Sequence, residues 1–518
     1  MSSDVKQGSP VVKGMYHLFL GNTTFTLIIA LTAIIVGRIL GPDGYGLYTV
    51  ALILPPFIFN AVRLGLDTAA TRYAARLESE GRGREANQFV LAMVIVEVGV
   101  AMLATLVFLG LSGVLASTVL NRPGIAGSIL PMAMLSVVGQ AAYTVTTSGL
   151  VGLGMYGRAA LFQVAQGVAK LVVSVGLVLL GYGVLGAVAG YTIAFIVSGV
   201  LGIILVIGIS GAAIPKGLKA DVSMGLRYGW PVYISILASG FVAPAINTAL
   251  ALTVPNSQIG GYSAANTFLS LIALFTYPIS TALFPLFSRR MDDNAAMGGL
   301  YRTSVWFTGL LVVPVTSFII PFSSPLIVTF YGRAYSFGAE YLALLAAISL
   351  LAGVGSLAWS AVLNGIGHTR DVLATTALGS VVSVALAVLL IPTVGVPGAI
   401  EGQIMGNVVM LAIGTLMVRR RMGVGLGLSS VWKVYVSAIL TAIVCYPLSW
   451  LIRTPEVSLV AGAVAYIVVF VPVLALLRTL DRGSKDALRG YLGFSPVISK
   501  PLSLAIRYYE VVGRLVGA

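Results

Sequence analysis

Long apolar runs separated by short polar breaks dominate the chain. A helix crossing the hydrocarbon core of a bilayer needs about 20 apolar residues at 1.5 Å each. That ruler finds fourteen runs, the first opening near His17 and the last near Val457. The runs are continuous and rich in Leu, Val, Ala and Gly, so they predict helices; barrel strands would alternate in segments of about ten residues. The breaks are short, and no soluble domain fits between any two runs. Residues 321–337 form the longest outer stretch and include amphipathic sequence suited to an interface. The last segment, 481–518, mixes basic residues with Leu, Ile, Tyr and Val and predicts a helix on the cytoplasmic membrane surface. The expected fold class is therefore an all-α polytopic membrane protein of about 14 transmembrane helices.

Composition agrees. Apolar residues make up 58% of the 518 and charged residues 9%, too few charges to cover soluble domains. A single cysteine, Cys445, excludes a disulfide framework or a thiolate metal cage, and two histidines are too few for a histidine-built metal centre. The net charge of +14 suggests a nucleic-acid binder only until the charges are placed. With both termini inside, the outer turns carry only Arg38, Arg122, Arg333 and Arg453. Apart from Arg63 and Lys170, every other Lys and Arg falls inside, as the positive-inside rule requires. The basic residues thus report orientation, and no nucleic-acid partner is expected. The first sixteen residues are polar and the run at His17 is long enough to span, which predicts no cleavable leader.

The chain also repeats itself at about 213 residues. Gly183 to Gly190 matches Gly395 to Gly402 in the pattern GVxGAxxG, Arg158 matches Arg370, and Gly46, Tyr48 and Arg76 match Gly260, Tyr262 and Arg290. Six spans per copy is an even number, so the copies are parallel repeats, which face each other across a cavity in transporters. The expected organisation is an N-lobe at 1–212, a C-lobe at 213–422, two further helices at 423–480 and the tail at 481–518.

An ionisable residue at mid-membrane costs at least about 2.5 kcal/mol and asks for a reason. Arg63 and Asp67 in the second run, Glu97 in the third and Lys170 in the fifth lie near the midplane; Glu401 lies nearer the outer end of the twelfth. Pro55 and Pro56 should kink or break the helix ahead of Arg63. The repeat places Tyr277, Thr281 and Val382 opposite Arg63, Asp67 and Lys170. The fold can therefore be built without these charges, which favours a functional role; an Arg63–Asp67 pair that merely fixes packing is the plainer reading. Arg227 and Arg302 sit at inner helix ends, where they either snorkel or line an inward-facing mouth. Asn60 is an interhelical hydrogen-bond former or a sugar contact. No GxxxxGK[ST], HExxH or GxSxG sequence occurs, so neither an ATPase nor another enzyme activity, and no cofactor or metal, is expected. Energy would come from an ion gradient, H+ or Na+, from the membrane potential, or from the substrate's own gradient.

Residues 36–76, VGRILGPDGYGLYTVALILPPFIFNAVRLGLDTAATRYAAR, resemble the opening of the lipid-linked oligosaccharide flippases of the multidrug/oligosaccharidyl-lipid/polysaccharide exporter superfamily. RYGWP, Arg227 to Pro231, is similar to the segment that opens the family's second half. The resemblance implies two six-helix lobes around a cationic cavity. Through it a polyprenyl-(pyro)phosphate-linked oligosaccharide would pass from the cytoplasmic to the outer leaflet of the cell membrane by alternating access. It implies that Arg63 and Lys170, with Asn60, Arg227 and Arg302, meet the pyrophosphate or glycan, and that Asp67, Glu97 and Glu401 serve coupling or ion pairing. The extra helix pair would offer a groove to the lipid tail. Expected partners are the lipid-linked oligosaccharide, the bilayer and glycan polymerase or transferase machinery, with a monomer as the working unit. The competing reading is a proton- or sodium-coupled antiporter of cationic drugs from the same superfamily.

Overall fold

Apolar runs of this length close every backbone hydrogen bond internally when helical, which hydrocarbon demands. The computed structural model describes residues 10–210, 218–288, 294–423, 425, 428–479, 503 and 507–510, and these contain helices and no strand. Most of the 481–518 tail lies outside them. Residues 507–510 form one helical turn, where Tyr508 Oη donates to Val468 O at 3.2 Å.

Nine stretches among the described residues are long and apolar enough to cross a membrane, or ten if the bent pair Gly338–Val354 and Ala358–Gly365 is one span. Two of the nine, Tyr16–Val62 with 47 residues and Tyr156–Ser210 with 55, exceed twice the length of about 20 residues that one crossing needs. Both break at glycines in the left-handed region: Gly41 (φ 69°), followed by Pro42, and Gly181 and Gly183 (φ 91° and 52°). Each is therefore two crossings. By length and hydropathy the described residues still give fewer spans than the expected fourteen. Part of the shortfall lies near 242–253, where the apolar helix is too short to span alone.

The chain divides into two units, Met1–Leu271 with Val384–Ala399, and Ile272–Ser383 with Ile400–Ala518. The first contains α1 (Pro10–Ala51), α2 (Leu54–Val62), α3 (Leu66–Ser79), α4 (Gly83–Gly110), α5 (Ile129–Gly152), α6 (Tyr156–Leu177) and α7 (Gly183–Ser210). It continues through α8 (Leu218–Gly240), α9 (Val242–Thr253) and the first half of α10 (Asn256–Ser288). Apolar burial gains little over lipid contact, so close approach and hydrogen bonds must hold such helices together. Crossing of α5 and α7 shows how: a Cβ on Gly139 would lie 2.5 Å from Phe195 C, and one on Gly199 would lie 3.1 Å from Gly139 O. The sequence repeat is visible in the backbone. Gly183 and Gly395, matched in sequence, both adopt positive φ at the start of a helix, Gly183 opening α7 and Gly395 immediately preceding Val396–Met422. Three residues on, Gly186 abuts Leu177 C and Gly398 abuts Leu390 C, the same crossing made twice.

In the second unit, α11 (Asn294–Ile319), α12 (Ser323–Tyr331) and α13 (Gly338–Leu350) carry the two extra helices, α14 (Leu428–Cys445) and α15 (Pro455–Leu476). Ser317 and Tyr466 share a hydrogen bond between their hydroxyls, Tyr435 donates to Leu350 O, and Gly462 lets Phe322 lie against the backbone of α15. The extra pair is thus bonded to the helices that precede it, over a cluster including Val313, Phe322, Val434, Ala438 and Phe470. Their other faces, with Ile443, Val444, Val460 and Ile467, are exposed.

Candidate functional site

The expected second span is broken twice. It ends at Ala51 and resumes at Leu54, with Pro55 and Pro56 opening α2, where a missing N–H is harmless. A second break follows at Arg63-Leu64-Gly65, with Leu64 at φ 48° and Gly65 at φ 72°. Arg63 closes α2 and Asp67 lies in the first turn of α3, so the pair expected on one helical face instead bridges a gap between two helices. The break is held from α8. A Cβ on Gly65 would lie 2.5 Å from Gly229 O, and one on Gly229 would lie 2.8 Å from Leu64 O. Two sequence motifs, RLGLD and RYGWP, therefore meet backbone to backbone through their glycines. In an unbroken helix Gly65 N–H would bond Ala61 O; here Tyr233 Oη donates to that carbonyl instead. Tyr233→Phe should lower the unfolding free energy by about 1 kcal/mol, the net worth of one hydrogen bond to a partly buried carbonyl. Thermal unfolding in detergent measures it, and an unchanged midpoint would show that the carbonyl finds another donor.

Four of the expected site residues gather at this break. The Arg63 guanidinium donates to both carboxylate oxygens of Asp67, reaches Asn60 Oδ1 at 3.4 Å and lies 5.7 Å from the centre of the Phe59 ring. Asp67 is buried. Glu97, on α4, is fully buried at 0% exposure, and neither of its carboxylate oxygens has a hydrogen-bond partner among the described residues. Asp67 and Arg63 are its charged neighbours. The cluster holds two carboxylates and one guanidinium.

Lys170 lies elsewhere. Its ammonium sits 5.0 Å from the centre of the Tyr191 ring and lines a cavity of about 260 Å³ with Thr32, Tyr45, Tyr48, Thr49, Asn247 and Ser263 among the other walls. Arg63 is not among its lining residues. Tyr45 and Tyr48 stack at 5.9 Å, and Lys170 makes no ion pair among the described residues. The sequence marked Lys170 by its position in the run, by Val382 at its repeat counterpart and by the family resemblance; its tyrosine, hydroxyl and amide neighbours come from several helices and leave no local pattern.

The remaining expected residues do not join either group. Arg227 is exposed on α8, whereas its neighbour Tyr228 receives the Arg72 guanidinium at 4.2 Å from the ring centre. Arg302 and Glu401 are exposed in the second unit. A further cavity of about 430 Å³ lies beside the turn between α3 and α4, lined by Arg76, Glu80, Arg82, Glu85 and Asp221. Hydrogen bonds from Arg76 and Arg82 hold Glu80 below the usual carboxylate range, and Arg82 does the same for Glu85. Partial burial, then the charge of Glu85, raises Asp221. With both signs present and the arginines paired, this crevice selects no anion.

Interrupted apolar spans, buried charges between helices and an internal polar cavity describe a multi-pass membrane protein with a polar interior. The chain belongs to the polysaccharide biosynthesis protein family, whose model matches residues 35–340, and it has the fold of the multidrug/oligosaccharidyl-lipid/polysaccharide exporter superfamily. The lipid II flippase MurJ in an inward closed conformation superposes with a TM-score of 0.70 at 14% identity, covering 87% of this chain and 97% of that one. An inward-facing multidrug resistance MATE transporter gives 0.66 at 20% identity, covering 77% and 94%. A superfamily transporter from Pyrococcus furiosus, described as having a binding pocket of reverse polarity, gives 0.58 at 19%, covering 80% and 97%. No curated protein matches the chain by sequence.

Proposed function

We propose that this transporter is a flippase that carries a polyprenyl-(pyro)phosphate-linked saccharide from the cytoplasmic to the outer leaflet of the cell membrane by alternating access. The observation that carries the reading is Lys170, an ammonium with no carboxylate in its cavity. A desolvated cation without a counter-charge favours an anionic ligand such as phosphate, and the surrounding hydroxyls and amide suit a sugar. The cavity falls below the range of about 300–1,000 Å³ usual for ligand sites. It accommodates one charged group or one sugar ring, so the rest of the substrate lies beyond it.

The Asp67–Arg63–Glu97 cluster is assigned to coupling. With all three ionised it carries one uncompensated negative charge in a buried setting, and one proton or one Na+ removes it. The distribution of Lys and Arg supports an orientation with both termini in the cytoplasm. Glycan polymerase or transferase machinery is the natural consumer of the flipped product.

Antiport of a cationic drug is the second reading, supported by the orphaned Glu97 carboxylate and opposed by the ammonium of Lys170. Proteoliposomes offered a polyprenyl-pyrophosphate sugar beside a cationic dye separate the two. Lys170→Gln is expected to slow saccharide transfer at least about tenfold, the loss of roughly one charge-assisted hydrogen bond. Glu97→Gln should keep transfer and lose its dependence on a proton or sodium gradient. Dye movement down an ion gradient with no handling of the lipid-linked sugar would establish the antiporter.

A further inference from the structure

We infer that Arg122 is a latch that holds the first unit shut at the end opposite its Arg82 turn, across a two-fold glycine contact, and that releasing it opens the Lys170 cavity to that side. The contact follows from the repeat. Gly46 corresponds to Gly260, and the same offset carries Pro42 onto Asn256. A Cβ on Gly46 would fall 1.8 Å from Asn256 O, and a Cβ on Gly260 would fall 2.0 Å from Pro42 O. Each copy's glycine thus meets the other copy's equivalent residue, the self-complementary pattern of a two-fold interface, realised within one chain. Bare backbones in contact exclude side chains and seal well. Dispersion across so few atoms holds them weakly.

The holding force comes from the turn between α4 and α5. Arg122 Nε donates to Asn256 Oδ1 at 2.7 Å, Nη1 to Ala251 O at 3.0 Å, and Nη2 to Val254 O at 2.9 Å. Asn121 Nδ2 adds a bond to Leu252 O at 3.2 Å. The three carbonyls close the C-terminal end of α9, where helix acceptors lack partners and a cation is favoured. Asn121 adopts φ 52°, a conformation that asparagine tolerates better than most residues. Every acceptor of Arg122 is neutral, so the clamp is released without separating an ion pair. Tyr45, Tyr48, Thr49 and Ser263 line the Lys170 cavity and lie within about two helical turns of Gly46 or Gly260. The seal and the cavity are therefore neighbours, and the latch decides whether the cavity is reached from this end.

Cys445 is the sole cysteine, so a Cys445→Ala chain carrying Ser263→Cys reports access to the cavity. Membrane-impermeant maleimide is applied to either face of oriented vesicles. The Arg122 parent is expected to label slowly from the latch side. Arg122→Ala should label about tenfold faster from that side alone, since losing a charge-assisted clamp shifts a two-state equilibrium by at least that factor. Arg122→Lys, which keeps the charge but not the fork, should fall between. Gly260→Ala, whose methyl collides with Pro42 O, should accelerate labelling with Arg122 intact. If Arg122→Ala does not fold, Asn256→Ala removes one acceptor and gives a smaller rise in its place. Rapid labelling of the parent from the latch side, or unchanged rates in the folded variants, overturns the latch. The readout needs no substrate, so its failure is distinct from failure of the flippase reading.

Discussion

Arg63→Ala is expected to destabilise the folded protein by about 3–5 kcal/mol, while Arg63→Ala with Asp67→Ala together should cost distinctly less. The single change removes the only cation of the cluster and leaves Asp67 and Glu97 as two buried carboxylates near each other. The double change removes one of them as well, so the remaining penalty is that of Glu97 alone, already present in the parent. Melting midpoints in detergent, read by size-exclusion of the monodisperse fraction, order the three proteins. A single variant as stable as the parent would mean that the carboxylates are neutral or otherwise compensated. The double variant also separates packing from transport. A folded protein that no longer moves lipid-linked sugar would show that the Arg63–Asp67 pair does more than fix packing.

Gly65→Ala is the second large effect. At φ 72° an alanine is strained by about 1–3 kcal/mol, and its methyl would meet Gly229 O at 2.5 Å, so backbone must move against backbone. Gly229→Ala meets the same obstacle from the other side, with Leu64 O at 2.8 Å. Each single variant should therefore lower folded yield and melting midpoint. The pair should cost less than their sum, because the first methyl already parts the backbones that the second would push. Strictly additive losses would show that the two glycines serve separate contacts.

The sequence carries the distance of a residue from the end of its apolar run and carries no direction around the helix. Counting inward from span ends marks Arg63, Asp67, Glu97 and Lys170 as mid-membrane charges. Nothing in that count shows that Arg63, Asp67 and Glu97 meet while Lys170 faces a cavity that excludes Arg63. The break at Arg63-Leu64-Gly65 was also hidden, since Arg and Leu are good helix formers and one internal glycine is tolerated. What opens the helix is tertiary: the close approach of Gly229 and the hydroxyl of Tyr233, more than 160 residues away in sequence. RYGWP drew attention for its arginine, yet Arg227 is exposed. The residue of that segment that touches the break is its glycine, while its tyrosine packs under Arg72 further along α3. The repeat, by contrast, could be read directly, because matched glycines at Gly183 and Gly395 answer to the same backbone requirement.

The bond from Tyr233 to Ala61 also bears on how the protein is made. A chain emerging from its N-terminus at about 5–20 residues per second presents α2 and α3 long before α8 exists. During that interval the Ala61 carbonyl has no Tyr233, and the Gly65 turn has no Gly229 to rest against. An open carbonyl in hydrocarbon costs several kcal/mol, so the young chain gains by running α2 and α3 together as one continuous helix. The break is then installed late, when α8 arrives and supplies both the hydroxyl and the bare backbone. The mature shape of α2 and α3 thus depends on α8, and the break at Arg63-Leu64-Gly65 is completed only once synthesis has passed residue 233.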